Sequence, residues 1–357
     1  MRRLKRLGWC SIKRKSTWPS FLPSLQPLLQ DFLFPLFCIT EEDLELLESD
    51  PNDYVQRRTD PMANLFNDAH AAQSLLSSLV SDKFNEVFPV VLGYIDAILN
   101  ALVSPEQKDV ASARRKDGAL AMVSSIADQT LREHSPVKGQ MQHFLLTHVF
   151  PEARSPHAFL RERASSVLVA FNGLTLDDAT ALEAYGMVCQ LMNDEALPVK
   201  VQAALALETL IEYKHLKPHM ASAIPAMMQH LLQLTSELEL DALTSTMETL
   251  VEHFSDAILP FAQQLCLNLR ETFFRFMSET NLGAHAAQQV DTDVDEQNDK
   301  LNAATGILKT IGTVLLHMEK KPDLVQNMEE VIFPIVEFIL QHRIIGTLLF
   351  FFPLFLF

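Results

Sequence analysis

LPVKVQAALALETLIEYKHLKPHMASAIPAMM, residues 197–228, decides how this chain is read. It predicts one helix, a short turn at 214–219, and the start of a second helix that runs on to Leu234. The first helix sets Val199, Ala203, Ala206, Leu207 and Leu210 at three- and four-residue spacings, and Ile211 widens that stripe enough to bury. Glu208 and Glu212 fall away from it, toward solvent. Pro198 stands at the first helical position, where a missing N–H costs nothing. The second helix carries Ile224–Pro225 near its start. One such pair cannot cover both apolar faces, so it has to stack on copies of itself.

The copies lie on either side. First-helix cores recur as GALAMVSSIAD from Gly118, RASSVLVAF from Arg163, QAALALETLIEY from Gln202, DALTSTMETLVEHF from Asp241 and NAATGILKTIGTVLL from Asn302. The offsets are about 45, 39, 39 and 61, the last stretched by an insertion at 282–299. Each core has Ala directly after its first residue, a size that lets helices approach closely. An apolar–Pro pair recurs in or beside the partner helices, at Phe34–Pro35, Phe88–Pro89, Phe150–Pro151, Ile224–Pro225, Leu259–Pro260 and Phe333–Pro334. A two-helix period near 40 predicts an all-α chain, a HEAT/armadillo-type α-α superhelix (solenoid) of about seven helix pairs.

The flanking helices are expected at 70–80, 83–103, 113–133, 139–150, 156–171, 176–192, 240–254, 256–278, 301–318 and 322–342. Ser155 before Pro156, Thr175 with Asp178, and Ser236 with Glu239 read as start signals, as does Thr40 with Asp43 ahead of a short acidic helix. PNDYVQRRTDP, 51–61, reads as a turn-rich connection. The array is thus expected over 20–342 with an acidic loop at 282–299. Residues 1–19 are expected to be a basic leader, disordered or an artefact of the gene model, and 343–357 a doubtful apolar tail.

Composition agrees. Gly is scarce at 10 while apolar residues reach 48%, which favours helices joined by short turns. Net charge is −16, and residues 1–16 alone contribute about +7, which leaves the remainder near −23. That balance argues against nucleic-acid binding and suits basic protein partners. Cys10, Cys38, Cys189 and Cys266 form no C-x-x-C and stand far from one another, which fits a reducing compartment. No stretch reads as a full membrane span, since the apolar tail 344–357 is shorter than the roughly 20 residues a helix needs.

No catalytic or cofactor signature is present: no Gly-rich phosphate loop, no H-E-x-x-H, no G-x-S-x-G. His215 and His219 flank Pro218 in a predicted turn, which spoils metal-ligand spacing. An enzyme, a cofactor and a bound metal are therefore not expected. The candidate binding residues are Asp291, Asp293, Asp295, Glu296 and Asp299, whose mutual repulsion predicts a solvated loop able to attract a basic partner. A calcium loop is disfavoured because Glu296 replaces the sixth-position Gly and no Glu stands at twelve. Met227, Gln229, His230 and Gln233 are expected on the inner surface. Of Phe273, Phe274 and Phe276, at least one is expected to be exposed or to touch the insertion.

The runs RRKDGALAMVSSIAD (114–128), HVFPEARSPHAFLRERASSVL (148–168) and LPVKVQAALALETLI (197–211) resemble the importin-β superfamily of nuclear transport receptors, on its importin-seven/importin-eight branch. FLFPLFCITEEDLELLESDPNDYVQRRTD (32–60) and the acidic insertion followed by LNAATGILKTIGTVL (301–315) resemble it too. The resemblance spans roughly residues 30–342. It implies a HEAT-repeat carrier of basic cargo such as ribosomal proteins or histones, passing nucleoporins between cytoplasm and nucleus and releasing cargo on the GTPase Ran. The amino-terminal repeats that make the family's main Ran contact have no counterpart here, so the resemblance implies a central fragment. A HEAT scaffold subunit of a different complex is the alternative.

Overall fold

The computed structural model describes residues 18–59, 67–102, 109–238, 240–279, 292–318 and 322–342, with backbone alone at 279, 292–299 and 322–327. No strand occurs among the described residues. The chain divides into an amino-terminal unit, Met1–Thr209, and a carboxy-terminal unit, Leu210–Phe357.

In the amino-terminal unit, first and second helices alternate. A helical stretch at 18–37 is followed by α1 (Glu41–Ser49), α2 (Pro51–Thr59), α3 (Asp68–Asp82), α4 (Phe84–Ala101) and α5 (Val110–Ser125). Then come a short second-helix stretch at 141–149, part α-helix and part π-turn, α6 (Ala158–Ala170), α7 (Asp178–Leu191) and α8 (Leu197–Ile211), inside which the unit boundary falls. First helix α5 packs on α3, α4 and α6. Ala119, Leu120 and Met122 of α5 are fully buried, as are Ala164 and Val167 of α6.

The carboxy-terminal unit holds α9 (Lys217–Glu237), α10 (Asp241–His253), α11 (Ala262–Glu279), α12 (Thr292–Met318) and α13 (Pro322–Gln341). Here α12 crosses α10 and packs on α11, and α13 packs on α11. The crossing is close because residue 306 is Gly. A Cβ there would overlap the side chain of Thr244. Thr310 Oγ1 bridges the same crossing, donating toward Gly306 O at 3.0 Å and Thr244 O at 3.4 Å.

The alternation, the organising helix and the Thr40–Asp43 capping box match expectation; Asp43 N–H donates to Thr40 Oγ1 at 3.0 Å. Several local readings need correction. The 51–59 segment is helix α2, because Pro51 suits a first turn and Asp50 Oδ1 accepts the Asp53 N–H at 3.1 Å. The start signal for α7 is Asp177, which accepts the Thr180 N–H at 2.8 Å; Thr175 lies upstream. Ser155 closes a 3-10 turn, and α6 begins two residues after Pro156. Ser236 sits in the last turn of α9, its hydroxyl donating to Gln233 O, so it caps nothing downstream; its partner Glu239 lies outside the described residues. The expected 113–133 and 256–278 helices are each broken, at Ile126 and at Leu259–Phe261.

Burial corrects three more. Glu208 is half-buried, because α8 is apolar on most of its circumference and is covered accordingly. Ala119, Ala164, Ala203 and Ala303 are buried as expected, but Ala242 is exposed: it stands in the first turn of α10, out of register with the others. Met227 is a core residue, while Gln229 and Gln233 are exposed and His230 half-buried. Phe273 and Phe276 are buried, and Phe274 lies half-buried with its ring 5.6 Å from Phe338 of α13.

By length and hydropathy alone, Trp18–Ser49 is apolar enough to cross a membrane, which the sequence reading overlooked. In the fold that segment is interrupted at Cys38–Thr40 and buries Leu25, Leu29 and Leu33 against the protein. Burial pushes the Cys38 thiol up to about 11 and the Cys266 thiol up to about 12, so both pack as small apolar groups.

Candidate interaction face

Several charged residues of α5 and α6 are turned inward and spent on structure. Asp117 of α5 is 1% exposed; it pairs with Arg163 Nε of α6 at 2.7 Å and accepts the Ile39 N–H at 3.2 Å. Arg114 Nε donates to Ile39 O at 2.8 Å. Glu162 of α6 accepts the Tyr54 hydroxyl at 2.9 Å and pairs with Arg58 Nε at 3.4 Å, both from α2. Burial, then the adjacent Glu162 carboxylate, drives the Tyr54 hydroxyl well above its usual range. Thus α1 and α2 form a strap tied to α5 at one end and to α6 at the other. A bond network of this kind holds helices in register.

The second helices differ, although Glu86 of α4 accepts the Trp18 indole N–H. The four second-helix segments 18–37, 84–101, 141–149 and 178–191 contain no Lys or Arg. They carry Asp31, Glu86, Asp96, Asp178 and Glu183, all exposed. Of the five large apolar residues exposed in this unit among the described residues, Leu22, Phe32, Val90 and Leu182 lie on these segments, and only Val110 lies elsewhere.

Three of the segments are linked. The Asp96 charge of α4 acts on His148 of the middle stretch, and Gln142 exchanges hydrogen bonds with Asp177, the cap of α7, at 2.6 and 3.1 Å. Burial and Lys116 hold His148 below its usual range, outweighing Asp96 and Glu152. Each flanking helix shows one exposed strip at helical spacing, away from its packed side: Glu86, Val90, Gly93 and Asp96 on α4, and Ala179, Leu182, Glu183 and Gly186 on α7. The face combines local negative charge with scattered exposed apolar side chains and, among the described residues, no converging acid, base and nucleophile. Among the described residues no group of three or more His, Cys, Asp or Glu is placed to hold a metal ion.

The residues singled out beforehand lie elsewhere. Asp291 is outside the described residues, while Asp293, Asp295, Glu296 and Asp299 fall within α12, whose backbone is helical from Thr292. The helix therefore begins earlier than the expected 301; acidic residues near an amino terminus complement the helix dipole. The second-helix face was missed because its charges are spread over four segments far apart in sequence. The readable signal was the absence of Lys and Arg from every second helix of this unit.

The family model Cse1 matches residues 22–207. Importin-8 of Mus musculus is 32% identical over 332 residues, covering 92% of this chain and 31% of that protein. Nonsense-mediated mRNA decay protein 5 of Saccharomyces cerevisiae is 30% identical over 93% of this chain and 32% of its own length. The Importin beta-like SAD2 homolog of Arabidopsis thaliana is 31% identical over 91% of this chain and 31% of its own. The chain therefore spans about a third of the length of the curated relatives it matches. Among solved structures, the exportin Cse1 in its cargo-free, cytoplasmic state superposes with a TM-score of 0.71 at 15% identity, over 96% of this chain and 36% of that one. That likeness gives the fold, a HEAT-type α-α solenoid. With more than half of its residues under the family model, the chain belongs to the Cse1 family of the importin-β superfamily, on the importin-seven/importin-eight branch.

Proposed function

We propose that this chain is the central part of a nuclear import receptor, which binds basic protein cargo and carries it between cytoplasm and nucleus without any bond chemistry of its own. The observation that carries the reading is the acidic, Lys- and Arg-free second-helix face of the amino-terminal unit. Opposite charge on a cargo is attracted over a Debye length of about 8 Å at physiological ionic strength, and like-charged proteins are turned away. The acidic run Asp291, Asp293, Asp295, Glu296 and Asp299 is our second contact for the same cargo. The importin names of the relatives support the transport role. Cargo release by Ran and passage along nucleoporins belong to the proposal at the level of the whole receptor.

The test is capture of histones or basic ribosomal proteins by the purified chain at graded salt. Capture should fall steeply with salt. It should weaken in Asp96→Asn/Glu183→Gln, with thermal stability nearly unchanged, and, separately, when the five acidic residues of the run are neutralised, with a small loss of stability because the acids in the first turn of α12 complement the helix dipole. Capture indifferent to salt and to both sets of substitutions would point to a HEAT scaffold of another complex.

A further inference from the structure

We propose that the second-helix face of the amino-terminal unit recognises its basic partner through two apolar seats, Val90 and Leu182. It would thereby select a basic segment that also carries two aliphatic or aromatic side chains a fixed distance apart. This deepens the proposed cargo-binding role and rests on it.

Single exposed apolar residues are ordinary on any surface. What distinguishes these two is that the same local arrangement is built twice. Val90 is 37% exposed and Leu182 46% exposed. Each is followed within one turn on its strip by a glycine, Gly93 and Gly186 respectively, with nothing within 4 Å of where a Cβ would stand. Beside each apolar side chain there is therefore bare helix surface on which a partner's side chain can lie. Each seat is also flanked by exposed acids at helical spacing: Glu86 and Asp96 on α4, Asp178 and Glu183 on α7. The apolar contact would hold the partner, and the acids would require Lys or Arg around it.

The two seats are separated by the middle stretch, which is joined to the start of α7 by the Gln142–Asp177 hydrogen bonds and holds His148 within reach of the Asp96 charge of α4. Two interaxial steps of about 8–10 Å each place them roughly 16–20 Å apart. Five or six extended residues cover that span at about 3.3–3.6 Å each. Between the seats, the half-buried Phe144 and His148 rings lie 5.5 Å apart, while His143 and Thr147 are exposed. That middle ground is open to a chain passing over it. A polybasic partner lacking apolar residues would bind by charge alone and be lost as salt rises. A partner filling both seats would keep part of its affinity, because apolar burial is not screened.

The experiment uses the whole 357-residue chain and two fluorescein-labelled lysine-rich peptides. One carries two leucines about six positions apart, and the other has serine at both places. Anisotropy titrations are run at low and high salt on the wild type, on Val90→Ser/Leu182→Ser and on Asp96→Asn/Glu183→Gln. Thermal melts check that each variant folds. The expected result is tighter binding of the leucine peptide by about tenfold or more, retained at high salt, and reduced to the serine peptide's affinity in Val90→Ser/Leu182→Ser. Two results would overturn the inference yet leave the proposed function standing. One is equal binding of the two peptides that responds only to salt and to the charge variant. The other is a leucine preference that survives Val90→Ser/Leu182→Ser. Binding of neither peptide to the wild type would remove the inference and the cargo reading together.

Discussion

Asp117→Ala tests the central claim that buried charge ties the α1–α2 strap to the first helices. Asp117 is 1% exposed and Arg163 9% exposed, with Nε and Oδ1 2.7 Å apart. Removing the carboxylate strands a guanidinium in the interior, which costs about 3–5 kcal/mol. It also leaves the buried Ile39 N–H without its acceptor, a further loss of about 1–3 kcal/mol. The two share one site and do not simply add, so the net loss should be about 4–6 kcal/mol. At about 2–4 °C per kcal/mol for a unit of this size, the melting temperature should drop by roughly 10–20 °C. Arg163→Met in the same chain removes the stranded charge and should return about 2–3 kcal/mol. Urea unfolding followed by circular dichroism on the wild type, both single variants and the double variant gives the coupling energy. If Asp117→Ala loses less than about 1 kcal/mol, or if the double variant is as unstable as Asp117→Ala, the pair is not buried and coupled as described.

Gly306→Ala should destabilise by about 1–3 kcal/mol, because the new methyl meets Thr244 across the α10–α12 crossing, and Thr244→Ala in the same chain should recover part of it; equal urea midpoints for wild type and Gly306→Ala would dismiss the close crossing. Ala203→Arg places a long cation at a fully buried position in α8 and should cost about 3 kcal/mol or more, read as a lowered urea midpoint; no change would mean that the position faces water. Acid should weaken the fold in two stages. The imidazole of His148, held low by burial, protonates first in the unfolded chain, so stability falls as pH drops below about 6.5 and through the folded value, and His148→Gln should flatten that stage. Burial would raise the Asp194 carboxyl, but the hydrogen bonds from Arg161 and the Ala196 N–H hold it low; its contribution is present above about pH 4 and is lost as pH falls through the folded value. Urea midpoints measured across pH on wild type, His148→Gln and Asp194→Asn separate the two, and identical pH profiles for all three would refute the assignment.

The repeat was readable because apolar spacing is local. Val199, Ala203 and Leu207 announce a helix face without reference to anything else in the chain. What the strap does was not readable. Asp117, Glu162 and Arg163 sit in the runs RRKDGAL and RERASSV, which look like solvated helix surface, and only the folded arrangement brings Ile39, Tyr54 and Arg58 to them. A clue was available: these charges interrupt otherwise continuous apolar positions, where an unpaired charge could not be tolerated. Helix α2 was missed because Pro51 and Asp53 suit a turn as well as a first helical turn, and the choice is settled by Tyr54 burying its ring. The interaction face was missed for a different reason. No single second helix is strongly acidic, and the pattern appears only when the four segments are compared with one another.

The recurrent prolines reach further than punctuation. Pro89 and Pro225 stand inside α4 and α9 with exposed rings, and Pro334 stands half-buried inside α13. Each deprives the carbonyl four residues earlier of its usual donor. In α13 that oxygen, on Glu330, takes a hydrogen bond from Arg270 at 3.3 Å. A guanidinium from a neighbouring helix thus already answers one such gap. The equivalent oxygens on Asn85 and Ala221 have lost the same backbone donor, and the one on Asn85 lies a turn ahead of Val90. An acceptor of this kind belongs to the main chain, and no substitution of side chains around it removes it.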